Sequence, residues 1–118
     1  MPQIPNIKTA VPKRRYAIGE FSAVLLGEIE SGDPNRYEHI FAAVREGDSQ
    51  PLLYVISERA RRAEQDAGSH RIRIIAGNDE HVLGVSDRWR DVDAFVEQAL
   101  DVTRKTLMLT DEPVARVM

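Results

Sequence analysis

An amphipathic helical segment near the C-terminus constrains the fold most, because such a helix is stable only when its apolar side lies on another surface. Its apolar residues recur at the i, i+3, i+4, i+7 spacing of one helical face. They are Val92, Phe95, Val96, Ala99, Leu100, Thr103 and Leu107. Asp91 suits the N-cap, where its carboxylate accepts from unpaired amides of the first turn. We predict one long helix of about 19 residues over 91–109. The surface that packs against its apolar side must come from residues 1–90.

Short segments of alternating polarity precede the helix, and each is typical of a β-strand. They lie at residues 15–18, 21–28, 37–45, 52–57, 70–76 and 81–85. Turn residues separate them, and short connections between neighbouring strands favour an antiparallel meander. The predicted fold class is therefore α+β, with an antiparallel β-meander of about six strands and one C-terminal helix.

The segment 58–69 is polar and carries no apolar stripe that would dock a helix. We interpret it as a protruding connection. Its residues 58–67 are predicted to form either a loop or a short helix. A packed helix here would allow the next strand to return in parallel, and the meander would then fail.

The strands at 21–28, 37–45 and 52–57 are apolar on both faces, whereas one helix covers only one face of a sheet. Each buried Val, Leu, Ile or Phe side chain contributes about 1.5–3 kcal/mol, so a bare second face is unfavourable. Either the sheet bends strongly or closes into a barrel, or a second copy of the chain covers it. We predict a homodimer built on a strongly bent sheet, with a monomeric barrel as the alternative.

The 118 residues suffice for one hydrophobic core. Residues 14–110 are predicted to form a single α+β domain. Pro2, Pro5 and Pro12 disfavour regular pairing, so residues 1–13 are predicted to be a flexible N-terminal arm. Residues 111–118 are predicted to be a C-terminal tail.

Several classes of function lack support in the sequence. The chain has no cysteine, which excludes disulfides, thiolate metal sites and a cysteine nucleophile, and favours a cytoplasmic location. It shows no apolar core of a signal peptide and no run near the ~20 apolar residues of a membrane span. It also lacks a Gly-x-Ser-x-Gly motif, a glycine-rich phosphate loop and histidines at the spacing of a local metal pair. We predict no catalytic residue, no metal site, no cofactor and no membrane partner.

One basic and aromatic constellation has chemical content. Arg71 and Arg73 share a strand face, and Arg88 and Arg90 flank Trp89 just before the helix. If the last two predicted strands pair, these groups lie near one another. Arginine clamps phosphates and an indole ring stacks on bases, so the set predicts a site for an anionic ligand or single-stranded nucleic acid. The alternative is structural: Trp89 closes the core and the arginines form ion pairs.

These observations favour a non-catalytic binding or assembly domain that forms a homodimer. The order of strands followed by a C-terminal helix is similar, in order alone, to that of small nucleic-acid-binding domains of the Pur kind, which implies a nucleic-acid ligand. The alternative is a small-ligand-binding protein or an enzyme. Its site would lie in a barrel mouth or dimer cleft and use Tyr37, Tyr54 and His39.

Overall fold

The computed structural model describes residues 4–118, and in that range it contains a seven-stranded antiparallel sheet and one α-helix. The strands are β1 (Ile7–Ile18), β2 (Phe21–Ser31), β3 (Tyr37–Arg45), β4 (Leu53–Arg59), β5 (His70–Ala76), β6 (Asp79–Ser86) and β7 (Val114–Arg116). Their order across the sheet is β6-β5-β4-β3-β2-β1-β7. The α+β class and the antiparallel meander are confirmed, with seven strands where six were expected. The two outer strands do not pair with each other, so the sheet is open and not a closed barrel.

The helix α1 (Val92–Thr106) has 15 residues and is shorter than the predicted 19-residue helix. Its start is as expected, since the Asp91 carboxylate accepts a hydrogen bond from the Ala94 amide at 2.9 Å. It ends early because Met108 adopts a left-handed backbone, with φ of 58°. The amides of Met108 and Leu109 then bond back to the carbonyls of Lys105 and Arg104, a Schellman ending.

The main core lies between α1 and one face of the sheet, which we call the helix face. The predicted helical stripe faces this core, with Phe95, Val96, Ala99 and Thr103 buried. Buried sheet residues of the same core are Tyr16, Ala23, Leu25, Phe41, Ala43, Leu53, Val55, Ile72 and Ile74. The helix therefore covers the centre of the sheet, as its amphipathic pattern indicates.

The opposite face of the sheet, the second face, carries a smaller apolar cluster. Ile40, Ile56 and Ile75 form a second apolar cluster and are fully or almost fully buried. Ile7 and Ile29, from the far end of the β1–β2 ladder, pack against that cluster. The pairing of β1 with β2 contains three register shifts, irregularities that interrupt a regular ladder. Residues of the chain itself thus supply part of the cover for the second apolar face.

Two terminal segments take part in the sheet. β1 begins at Ile7, so residues 7–13 of the predicted arm pair with β2, while residues 1–3 of that arm lie outside the described residues. Pro12 is accommodated beside a register shift, a position where a strand tolerates proline. Part of the predicted tail forms β7, which pairs with Tyr16–Ile18 at the end of β1.

The connection after β4 contains only a single 3₁₀ turn, Arg62–Glu64. β5 accordingly returns antiparallel to β4, with Arg59 opposite His70. No helix in the described part of the chain is long and apolar enough to cross a membrane.

Candidate functional site

The structure places Arg71 and Arg73 on the second face, where both are buried. Glu58 lies between them on β4. Its carboxylate accepts from Arg71 Nε at 2.7 Å and from Arg73 Nε and Nη2 at 3.1 and 3.0 Å. Glu64 and Glu80 lie 3.6 and 3.3 Å from the Nη1 atoms of Arg71 and Arg73, respectively. Both guanidinium groups are therefore engaged in ion pairs within the protein.

The surroundings of this cluster shift two pKa values upward. Burial alone disfavours charge on Arg73, but the hydrogen bonds and negative charge of Glu58 outweigh it and raise the pKa of Arg73 above its ordinary value. Burial, with a 2.8 Å hydrogen bond to Asp33, raises the pKa of Tyr37 to about 12. The Tyr37 phenol thus stays protonated at neutral pH and donates to Asp33.

Arg88, Trp89 and Arg90 belong to a second 3₁₀ turn, Asp87–Arg90, directly before α1. Trp89 is partly buried and packs against the main core on the helix face, and the Arg88 guanidinium lies 5.4 Å from the centre of its ring. Trp89 and the pair Arg71 and Arg73 therefore lie on opposite faces of the sheet. The predicted constellation is divided between those faces.

Two side chains of the helix face contact the backbone carbonyls of this turn and hold it in place. The Ser57 hydroxyl donates to the Trp89 carbonyl, and His39 Nε2 lies 2.9 Å from the Arg90 carbonyl oxygen. The His39 ring also stacks on Phe95, with ring centres 5.3 Å apart.

Arg90 borders a cleft of about 530 Å³ that also includes Arg36 and Arg59, and we call it the arginine cleft. Its lining residues are Arg36, Tyr37, Glu38, Arg59, Gln65, Gly68, Ser69, His70, Asp87 and Arg90. Arg36 and Arg59 are exposed, and neither makes an ion pair within 4.0 Å of a described carboxylate. The residues that line the cleft thus include three arginines and two carboxylates, an excess of positive charge.

Strand register explains why these residues meet. The Arg59 amide bonds to the Arg36 carbonyl at 2.9 Å, directly beyond the β3–β4 ladder. Arg59 stands opposite His70, and His70 opposite Ser86 at the end of β6. Three neighbouring strand ends and the 3₁₀ turn after β6 therefore line one cleft.

Glu38 and His70 form a polar pair in the lining of the cleft. Glu38 Oε1 lies 3.2 Å from His70 Nε2 and 4.0 Å from Arg90 Nε, and the Arg90 side chain is 75% exposed. Burial lowers the pKa of His70, the positive charges of Arg90 and Arg59 lower it further, and Glu38 opposes both effects. His70 is therefore mainly neutral at pH 7 and gains affinity for a proton if negative charge arrives.

The wall formed by residues 68–70 is closely packed. Ser69 donates its amide to Asp87 Oδ1 at 2.8 Å, and this hydrogen bonding lowers the pKa of Asp87. A Cβ on Gly68 would lie 2.5 Å from Ser86 Cα, so only glycine allows this close approach.

Sequence reasoning singled out Arg90 but missed Arg36, Arg59 and His70 as neighbours. The signal for them was the strand register. Pairing Ile40 with Ile56 and continuing along β3 and β4 places Arg36 within one residue of Arg59, and the register shift between Tyr37 and His39 brings the two residues opposite each other.

The alternative site does not assemble as one group. Tyr37 and Tyr54 belong to the second-face cluster, whereas His39 lies on the helix face. Within residues 4–118, no group of three or more His, Asp or Glu side chains is arranged to hold a metal ion.

Comparisons of the chain with protein families, with curated proteins and with solved structures find no match.

Proposed function

We propose that this protein is a non-catalytic binding domain that takes a small anionic ligand in the arginine cleft. The observation that carries the proposal is the convergence of Arg36, Arg59 and Arg90 on one cleft of about 530 Å³. Guanidinium groups bind carboxylate, sulfate or phosphate oxygens with short, charge-assisted hydrogen bonds. The volume falls within the range of small-ligand sites, about 300–1,000 Å³.

Electrostatics support an anion over a cation or a neutral ligand. Three arginines and two carboxylates, Glu38 and Asp87, line the cleft, and only Arg90 lies within 4.0 Å of one of them. The neutral His70 is a further group that can become positive when an anion binds. A dianion would satisfy two or more of these donors at once.

A single-stranded nucleic acid offers the same phosphate chemistry, but the described cleft provides little for its bases. Its aromatic side chains are Tyr37, which is buried, and His70, whose side chain is 12% exposed. Because base stacking supplies much of single-strand affinity, we favour a small anion. The predicted homodimer and the cytoplasmic location stay predictions at this point.

The test is a titration of the wild type, Arg59→Gln and Arg62→Gln with sulfate. Amide chemical shifts or calorimetry measure the binding. Sulfate keeps its double charge across the pH range of interest. Loss of one charge-assisted hydrogen bond, about 1.5–3 kcal/mol, predicts at least a tenfold weaker affinity for Arg59→Gln. Arg62 is exposed three residues further along and does not line the cleft, so its variant serves as the matched control.

Equal affinities in all three proteins, or shifts confined to residues outside the cleft, would refute the proposal. A short single-stranded oligonucleotide forms the second arm of the experiment. If it binds with a steep salt dependence while sulfate neither binds nor competes, the nucleic-acid version of the site is favoured over a small anion.

A further inference from the structure

Arg36 lies in the loop between β2 and β3, residues 32–36, and it is exposed. An exposed arginine in a loop loses conformational entropy when it binds a ligand, and ordering such a side chain costs affinity. Contacts that fix the loop before the ligand arrives lower this cost. The groups that hold the backbone of Arg36 therefore bear on the affinity of the arginine cleft.

The carboxylate of Asp33, in the same loop, accepts hydrogen bonds from three groups. Its Oδ2 atom accepts from the Asn6 amide at 2.9 Å and from the Tyr37 hydroxyl at 2.8 Å, and its Oδ1 atom accepts from the Asn35 amide at 2.9 Å. Burial alone would raise the pKa of Asp33, but these hydrogen bonds outweigh it and hold the pKa below its ordinary value. The carboxylate is therefore ionised at neutral pH, the form that accepts all three bonds.

Two of these donors are the sequence neighbours of Arg36. Asn35 precedes it and Tyr37 follows it, so the Asp33 carboxylate holds the chain on both sides of Arg36. The Arg36 carbonyl oxygen in turn accepts from the Arg59 amide at 2.9 Å. Asp33 and the end of the β3–β4 pairing thus together place Arg36 beside Arg59.

The residue before β1 fastens this loop to the sheet. Asn6 donates its amide to Asp33, and its carbonyl oxygen accepts from the Gly32 amide at 2.7 Å. A Cβ on Gly32 would lie 2.6 Å from the Asn6 Nδ2 atom, so the loop and this segment are in close contact. The loop that carries Arg36 is therefore held from outside the cleft.

Asp33 itself does not line the arginine cleft, although its hydrogen-bond partner Tyr37 does. The negative charge of its carboxylate, taken alone, weakens the binding of a nearby anion. Its hydrogen bonds act in the opposite direction, because they keep Arg36 in place. Since the two effects have opposite signs, one substitution distinguishes them.

We propose that Asp33 is a positioning residue of the arginine cleft, whose carboxylate fixes the loop that sets Arg36 beside Arg59. The proposal rests on the anion site proposed above and identifies a residue outside the cleft that controls its affinity. Asp33 acts through the backbone on either side of Arg36 and does not touch the ligand.

The test is a sulfate titration of Asp33→Asn, in which the side chain loses its charge and one of its acceptor oxygens. Sulfate should bind about three- to tenfold more weakly than to the wild type, the change that corresponds to ordering one long side chain. If charge were the only influence of Asp33, the same substitution would strengthen binding. Asp48→Asn is the matched control and should leave the affinity near the wild-type value, since Asp48 is exposed in the β3–β4 turn and does not line the cleft.

A double-mutant cycle with Arg36→Gln separates positioning from a general structural role. If Asp33 acts through Arg36, Asp33→Asn should not weaken sulfate binding further in the Arg36→Gln background. Circular dichroism confirms that each variant is folded. If Asp33→Asn does not fold, Tyr37→Phe takes its place in the same cycle, because it removes one donor to Asp33 and keeps the aromatic ring.

The outcomes distinguish the positioning role from the anion site itself. A wild type that does not bind sulfate would refute the anion site, and the positioning role with it. If the wild type binds sulfate and Asp33→Asn binds it equally or more tightly, only the positioning role is refuted. Equal weakening by Asp33→Asn in the wild-type and Arg36→Gln backgrounds, or an equal loss in Asp48→Asn, would also overturn the positioning role.

Discussion

Two sets of arginines in this protein have the same chemistry and opposite surroundings. Arg71 and Arg73 lie within a strand and share the buried Glu58 carboxylate, whereas Arg36 and Arg59 lie at strand ends and face solvent. Charge type alone therefore does not identify a binding site. A guanidinium group can bind a ligand only where it is not already in an ion pair with a carboxylate of the protein.

The largest expected effect concerns the buried set. In Glu58→Gln, Arg71 and Arg73 lose the charge that both of them contact, and the free energy of unfolding is expected to fall by about 3–5 kcal/mol. Urea unfolding measures this. The control is Asp101→Asn, which removes an exposed i,i+4 pair with Lys105 and should cost about 0.3–0.5 kcal/mol. Equal losses in the two variants would mean that the buried cluster has no special energetic role.

A smaller effect is expected where the cleft wall is packed. In Gly68→Ala the new methyl group meets the Ser86 backbone, and overpacking of this kind costs about 1–3 kcal/mol. Sulfate affinity should also fall, because the wall formed by residues 68–70 must move. Gly84→Ala is the matched control, since a Cβ there meets no atom within 4 Å. A Gly68→Ala protein as stable as Gly84→Ala would argue against the close packing of this wall.

The smallest effect concerns the arginine cleft, where a substitution should change the affinity for sulfate and leave the free energy of unfolding almost unchanged. Glu38→Gln removes a negative charge from the cleft, so sulfate should bind about two- to fivefold more tightly, in keeping with the modest strength of partly exposed charge pairs. Unfolding in urea should change by at most about 0.5 kcal/mol. Weaker sulfate binding in this variant would show that Glu38 positions Arg90 or His70 and that its charge matters less.

The sequence predicted the architecture better than the site because periodicity reports which face is apolar. The stripe from Val92 to Leu107 and the Asp91 cap were sufficient to place α1 against the sheet. The end of the helix was missed because Met108 has no side-chain signature of a left-handed residue, unlike the glycine that usually takes this position.

Alternation in polarity does not distinguish an exposed polar face of β5 from a buried one, and Arg71 and Arg73 face away from the helix yet are buried. Their burial depends on Glu58, which the sequence analysis assigned to a protruding connection. Ile7 packs against the apolar cluster of the second face, and the three register shifts in the β1–β2 pairing that precede this contact are not visible in a single sequence. Contacts between residues far apart in the sequence therefore determine which side chains are buried on the second face, and local sequence patterns do not report these contacts.

The most direct measurement on the arginine cleft is an NMR titration of the His70 ring with and without saturating sulfate. Burial holds the pKa of His70 below its ordinary value, and a nearby anion favours the imidazolium form. Sulfate should therefore raise the pKa of His70, and by linkage sulfate should bind more tightly as the pH falls through that pKa. The ring of His81, which neither lines the cleft nor contacts a residue that does, is the internal reference and should not respond to sulfate. A His70 pKa that sulfate leaves unchanged, or equal responses from His70 and His81, would contradict an anion site in this cleft.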